Sequence, residues 1–220
     1  MADIAEIKEL AKTLNLMNVY KGVIDISDET VSNLDYLYSI LKQEVDIRNE
    51  NKVANLLKES RLPKKVFDDS GISQGLKWQL KEIEKIDFKN TNQNILIVGD
   101  VATGKTSLVT NISKNAIQKG TKVIYFTEED FIVAYRSHKN LRTKILHSDL
   151  IVLDELFYLT PTDENLVYLY KTVMFLSETR SFIFVTNRPL SEWENINVDK
   201  HIVSTFRQRI MRNAQLIHLG

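Results

Sequence analysis

The residues Gly99-Asp100-Val101-Ala102-Thr103-Gly104-Lys105-Thr106 have the types and spacing needed to hold phosphate. The pattern is G-x-x-x-x-G-K-T, and it follows the apolar run Asn94–Val98. Glycines at 99 and 104 let the backbone wrap closely and aim N–H groups at phosphate oxygens. A helix that starts near Lys105 adds its positive end, and Ser107 falls in that first turn. The Lys105 ammonium can reach β- and γ-phosphates, and the Thr106 hydroxyl can sit on a magnesium ion. A glycine turn that met the pattern by chance would not need the strand before it and the helix after it. The sequence supplies both.

A second polar group completes such a site. The run Leu150-Ile151-Val152-Leu153 ends in Asp154-Glu155. Asp154 can hold magnesium directly or through water, and Glu155 can polarise an attacking water as a general base. Phe182-Ile183-Phe184-Val185-Thr186 ends in Asn187, whose amide can orient that water or touch the γ-phosphate. The same Asn is also a common way to begin a turn. Near the end stand Arg207, Arg209 and Arg212, either a solvated basic face or a contact to phosphate on a neighbouring molecule.

These groups must be positioned by strands and helices that alternate. Strands are expected at Asn94–Val98, Val123–Thr127, Leu150–Asp154, Phe182–Thr186 and Gln215–Leu219. Helices are expected near Lys105–Lys119, Glu128–Leu146 with a break at Lys139-Asn140, Thr162–Thr179 and Asp199–Arg212. The alternation predicts an α/β fold, a parallel five-stranded sheet flanked by helices, with ligands at the carboxyl ends of the strands. The front of the chain reads differently. Ile4, Ile7, Leu10, Ala11, Leu14 and Met17 form one stripe, and Gly22 ends that helix. Ser27 or Asp28 can cap a second, long helix or collinear pair that stops before Pro63. Residues 1–62 are therefore expected to be a small all-helical domain, with its acidic face solvated, and 63–220 the nucleotide-binding domain. An irregular link over 61–71 and a helix at Ser73–Ile86 join the two.

Composition agrees with a globular chain: 220 residues, 43% hydrophobic and 26% charged. The absence of cysteine excludes a disulfide framework and thiolate metal sites. With no basic leader and no long apolar run, a cytoplasmic protein without a membrane span is expected. Lys and Arg number 29, as do Asp and Glu. The first 62 residues carry −3 and the remainder +3, so any contact to nucleic acid must come from a local patch.

The motifs resemble those of the IstB-type helper ATPases of bacterial insertion sequences, in the initiator branch of the AAA+ ATPases, with DnaC-type helicase loaders as relatives. Gly99–Thr106 is similar to the Walker A loop. Leu150–Leu159 resembles the Walker B segment, with Phe157 where the family has glycine. Val185-Thr186-Asn187-Arg188-Pro189-Leu190-Ser191-Glu192-Trp193 resembles the sensor-1 stretch, and Arg209 fits the position of a trans-acting arginine better than Arg207 does, with Gln208-Arg209 for the family's Asp-Arg. Leu14–Gly22 and Leu37–Pro63 look like the family's helical front.

The resemblance implies ATP bound by residues 99–107, Mg²⁺ on Thr106 and Asp154, and catalysis by Glu155, Asn187 and a neighbour's Arg209. It implies homo-oligomers that assemble with ATP on DNA, with a transposase as partner; the alternatives are a replicative helicase, as for a loader in DNA replication, or a nucleotide-switched adaptor with little turnover. Arg136, His138, Lys139, Arg142 and Lys144, within the segment that includes the branch's helical insert, are the DNA-facing candidates or else a solvated basic face. The chain stops soon after its last strand, so no lid domain and no sensor-2 arginine are assigned.

Overall fold

Five apolar runs become one parallel sheet in the computed structural model, which describes residues 4–26 and 33–219. The strands are β1 (Asn94–Gly99), β2 (Val123–Thr127), β3 (Leu150–Asp154), β4 (Ser181–Thr186) and β5 (Ala214–Leu219), in the order β2-β3-β4-β1-β5. All four pairings are parallel. The central strands β1, β3 and β4 are apolar without a break because both faces are covered. Leu96, Val98, Ile151, Leu153, Phe182 and Phe184 share one buried cluster with residues of the helices. The alternate residues Ile95, Ile97, Val152, Ile183 and Val185 point the other way and are buried too. Each such side chain contributes about 1.5–3 kcal/mol by leaving water.

The helices are α1 (Ile4–Thr13), α2 (Met17–Tyr20), α3 (Asn33–Glu59), α4 (Gln74–Glu84), α5 (Lys105–Gln118), α6 (Glu128–Ser137), α7 (Lys139–Leu146), α8 (Asp163–Ser177) and α9 (Lys200–Met211). A 3₁₀ turn spans Leu190–Asn195. Starts follow capping chemistry: the side chains of Ser73, Thr127, Thr162 and Asp199 accept from main-chain N–H groups of the first turn of α4, α6, α8 and α9. The expected break in the long basic helix falls at His138, which stands between α6 and α7 with an extended backbone. Among the described residues, no helix is long and apolar enough to cross a membrane.

Contacts divide the chain into Met1–Asn55 and Leu56–Gly220, so the division lies within α3 and not at Pro63. In the first unit, the single helix expected over 1–20 is two, because Asn15 turns the chain with φ +58. The predicted stripe is mostly outside: Ala11 is buried, whereas Ile4, Ile7, Leu10 and Leu14 are exposed. The small Ala11 lets the core close with Val19 and Ile24, against which Ile40 and Ile47 pack. Glu44, expected on a solvated face, is buried; it accepts from the Asn18 N–H at 3.1 Å and pairs with Arg48 at 2.8 Å. The carboxylate thereby satisfies a free N–H of α2. The expected caps Ser27 and Asp28 lie outside the described residues.

In the second unit, the residues that follow Glu59 pair with β2. The Ser60 carbonyl accepts from Tyr125 N–H of β2 at 2.8 Å, and the Arg61 guanidinium lies 4.7 Å from the Phe126 ring centre. The link that follows is irregular, as its Pro, Gly and charges predict.

Candidate nucleotide site

The loop after β1 is built by two glycines with different tasks. A Cβ on Gly99 would run into the Leu219 carbonyl of β5, so this glycine serves close approach between strands. Gly104 has φ +87 and caps α5, a backbone that L side chains rarely adopt. Ala102 is left-handed too, at φ +67. Thr103 closes the loop through its hydroxyl, which donates to the Asp100 carbonyl at 2.9 Å. Val101 at the tip is exposed, and Ser107 lies in the first turn of α5. The Lys105 ammonium donates to the carbonyls of Gly99, at 2.7 Å, and Asp100. Partial burial lowers its pKa, opposed by the charges of Asp154 and Asp100.

Opposite the loop, β3 delivers Asp154 to the same place. The Thr106 hydroxyl donates to Asp154 Oδ2 at 2.9 Å, and the Tyr125 hydroxyl donates to the same oxygen at 2.7 Å. The Glu155 N–H donates to Asp154 Oδ1 at 2.8 Å. Thr106 and Asp154 thus present adjoining hard oxygens. That suits Mg²⁺, which takes one or two protein oxygens and fills its octahedron with phosphate and water. Among the described residues there is no group of three or more His, Cys, Asp or Glu that could hold a metal ion.

Glu155 is exposed and occupies a strained turn. Its φ is +59, and Phe157 two residues on has φ +59 as well. Desolvation raises the Glu155 pKa, and the charges of Asp154, Glu129 and Asp130 add to it. The turn is laced to its surroundings. Leu156 N–H donates to the Val185 carbonyl, and the Leu156 carbonyl accepts from the Thr186 hydroxyl, each at 2.8 Å. The Phe157 N–H donates to Glu128 Oε2 at 2.7 Å. Burial pushes Glu128 up to about 7, the Phe157 bond lowers it and Glu129 raises it. The Phe157 ring is fully buried, 4.8 Å from Trp193 and 6.0 Å from Phe206, both edge to face.

The strand order sets β4 between β1 and β3, so Asn187 follows a strand flanked by the loop and the acids. It lines a cleft of about 440 Å³ with Gly99, Asp100, Leu190 and His218, and its Oδ1 is buried without a hydrogen-bond partner. Arg209 is elsewhere. It is exposed beside a cavity lined by Tyr170, Met174, Thr205, Gln208 and Arg212, and no ion pair among the described residues holds it. Arg207, in contrast, pairs with Glu194 at 2.8 Å and donates to the Leu190 carbonyl. Of the basic residues on α6 and α7, Arg136 pairs with Glu164 at 3.3 Å and lies over Tyr168. Arg142 lies over Tyr135, Lys144 pairs with Glu59 at 3.6 Å, and Lys139 is exposed.

Reading the sequence missed Tyr125, Glu128 and Thr186. Tyr125 reads as an aromatic strand residue and gives no local signal. Glu128 reads as one of three acids that favour a helix start, Glu128, Glu129 and Asp130.

A family model described as IstB-like ATP binding protein matches residues 6–220. The chain belongs to this family. Among its relatives is the ATP-binding protein named for insertion sequence IS5376 of Geobacillus stearothermophilus, 24% identical over 88% of this chain and 81% of that one. Another is an IS21-like ATP-binding protein of Bacteroides fragilis, 25% identical over 98% and 87%. Solved structures share the fold of this IstB-like chain: the DnaC helicase loader has a TM-score of 0.54 at 19% identity, covering 70% of this chain and 94% of that one. AMPPCP-bound DnaA from Aquifex aeolicus has a TM-score of 0.53 at 21% identity, over 72% and 50%. The protein is an IstB-like ATP-binding protein.

Proposed function

We propose that this IstB-like protein is a magnesium-dependent ATPase that assembles with copies of itself on DNA and there recruits or regulates a transposase. Support for the chemistry is the meeting of Thr106, Asp154 and Glu155 at one end of the sheet, opposite the Gly99–Thr106 loop. Lys105 and the N–H groups of the loop bind the phosphates. Glu155 takes up proton density from the attacking water, helped by a pKa held above the ordinary carboxylate range. Asn187, with its free Oδ1, orients that water. Magnesium, when bound, would neutralise charge on the β- and γ-phosphate oxygens.

Assembly rests on one observation: Arg209 is exposed on α9 with no ion pair among the described residues, while Arg207 two residues before it is tied down. A cation offered outward in this way suits a neighbour's γ-phosphate. DNA and a transposase enter from the insertion-sequence relatives. Contacts to DNA would run mainly through phosphates, with Lys139 exposed and Arg136, Arg142 and Lys144 already engaged within the chain.

The test is nuclease protection and electron microscopy with ATP, for the native protein and for Glu155→Gln, which is expected to bind ATP and hold the assembled state. Absence of DNA binding in every nucleotide state overturns the proposal. Co-purification with a replicative helicase in place of a transposase would make the protein a loader. Loss of recruitment in Glu155→Gln would exclude an adaptor for which hydrolysis is only a reset.

A further inference from the structure

Asp154 is held by more than its own strand. In the parallel pairing of β2 with β3, Tyr125 sits beside Val152 and Thr127 beside Asp154. Tyr125 and Asp154 therefore share a face of the sheet, one step apart along the strands. The phenol spans that step and its hydroxyl donates to Asp154 Oδ2 at 2.7 Å. The same oxygen accepts from Thr106 at 2.9 Å, and Oδ1 accepts from the Glu155 N–H at 2.8 Å. Both oxygens of the carboxylate are thus bonded, and rotation about its last torsion would break all three contacts. Tyr125 is itself fixed at the main chain, where its N–H donates to the Ser60 carbonyl at 2.8 Å. Partners behind a metal ligand fix its direction, and their loss typically weakens metal binding about 10–100-fold.

We propose that Tyr125 is a positioning residue that aims the Asp154 carboxylate at a divalent cation beside Thr106. This rests on the nucleotide and magnesium reading proposed above. Tyr125 touches neither nucleotide nor water in this scheme; it acts through Asp154. Its contribution is the hydroxyl alone, so a phenylalanine, which keeps the ring, isolates it. Removing the donor leaves Thr106 and the Glu155 N–H to hold the carboxylate, so its last torsion is restrained by two contacts instead of three.

The experiment titrates Mg²⁺ into the full-length protein with a fluorescent ATP analogue, and repeats the nucleotide titration in EDTA. For Tyr125→Phe the Mg²⁺ concentration at half-effect is expected to rise about tenfold, the low end of such losses. Affinity for the analogue in EDTA and the thermal midpoint without nucleotide are expected to stay as in the native protein. A merely structural role would move those two and not the Mg²⁺ curve. Tyr125→Met, which lacks the hydroxyl and packs differently, must show the same shift. An unchanged Mg²⁺ curve in Tyr125→Phe, or a shift in only one of the two variants, overturns the assignment to the hydroxyl while the reading of the site stands. Native protein whose affinity for the analogue ignores Mg²⁺ overturns the reading of the site, and this inference with it.

Discussion

Replacing Phe157 by alanine and by glycine should reverse the usual order of those two residues. The side chain is fully buried and its ring meets Trp193 and Phe206, so truncation to alanine removes about 3–5 kcal/mol of packing. The backbone at φ +59 disfavours any L side chain by about 1–2 kcal/mol. Alanine keeps that cost and glycine does not. Against this, glycine loses about 0.5–1 kcal/mol more backbone entropy than alanine on folding. The main-chain bond to Glu128 survives in both. Phe157→Gly is therefore expected to be more stable than Phe157→Ala by about 0.5–1 kcal/mol, although both fall below the native protein. Urea unfolding followed by tryptophan fluorescence measures it, with Trp193 beside the substituted ring as reporter. If Phe157→Ala proves as stable as Phe157→Gly, or more so, the left-handed turn after Asp154 carries no strain and the reasoning fails.

Gly99→Ala drives a methyl group into the Leu219 carbonyl, whereas Gly104→Ala meets open space and only an unfavourable φ. The first should lower the thermal midpoint more than the second, and the reverse order would show that β5 yields easily. Glu128 has a folded pKa raised from 4.5 to about 7, so the native state holds a proton that the unfolded chain releases. Its stabilising share is present below about pH 4.5 and is lost as pH rises through 7, on the order of 3 kcal/mol across that window. Glu128→Gln, which can still accept from Phe157 N–H, should flatten stability against pH in that range; a slope equal to the native one refutes the assignment. Finally, Arg209→Ala and Lys105→Ala proteins should each release little phosphate from ATP, and mixing them should restore part of the rate, because mixed interfaces join an intact Lys105 to an intact Arg209. No recovery on mixing would place Arg209 outside the neighbour's site.

Strands and loop were legible because their signals are local. A run such as Leu150–Leu153 admits no amphipathic helix, and β2 and β3 have the bounds that their apolar residues set. The Gly99–Thr106 loop is read from spacing alone. What stayed hidden depends on partners far away in the chain. Glu44 looks like surface until the Asn18 N–H of α2 reaches it. The stripe on α1 looks like core, yet the core closes over Ala11 and leaves its larger neighbours outside. Glu128 and Phe157, 29 residues apart, meet through one main-chain N–H that no periodicity encodes. Likewise, nothing local in the sequence shows that Glu194 pairs with Arg207.

The lacing of the Glu155 turn to β4 has a consequence for how this site tolerates change. Leu156 is clasped by the Val185 carbonyl and the Thr186 hydroxyl, and Asn187 is the next residue along that strand. The distance between acid and amide is thereby fixed by one hydroxyl and by peptide groups, which nearly every residue supplies. Side chains around the turn are free to drift while the two polar groups keep their spacing. Phe157 shows the room this leaves: its ring sits buried against Trp193 and Phe206, while the bond to Glu128 is made by its N–H and not by its side chain.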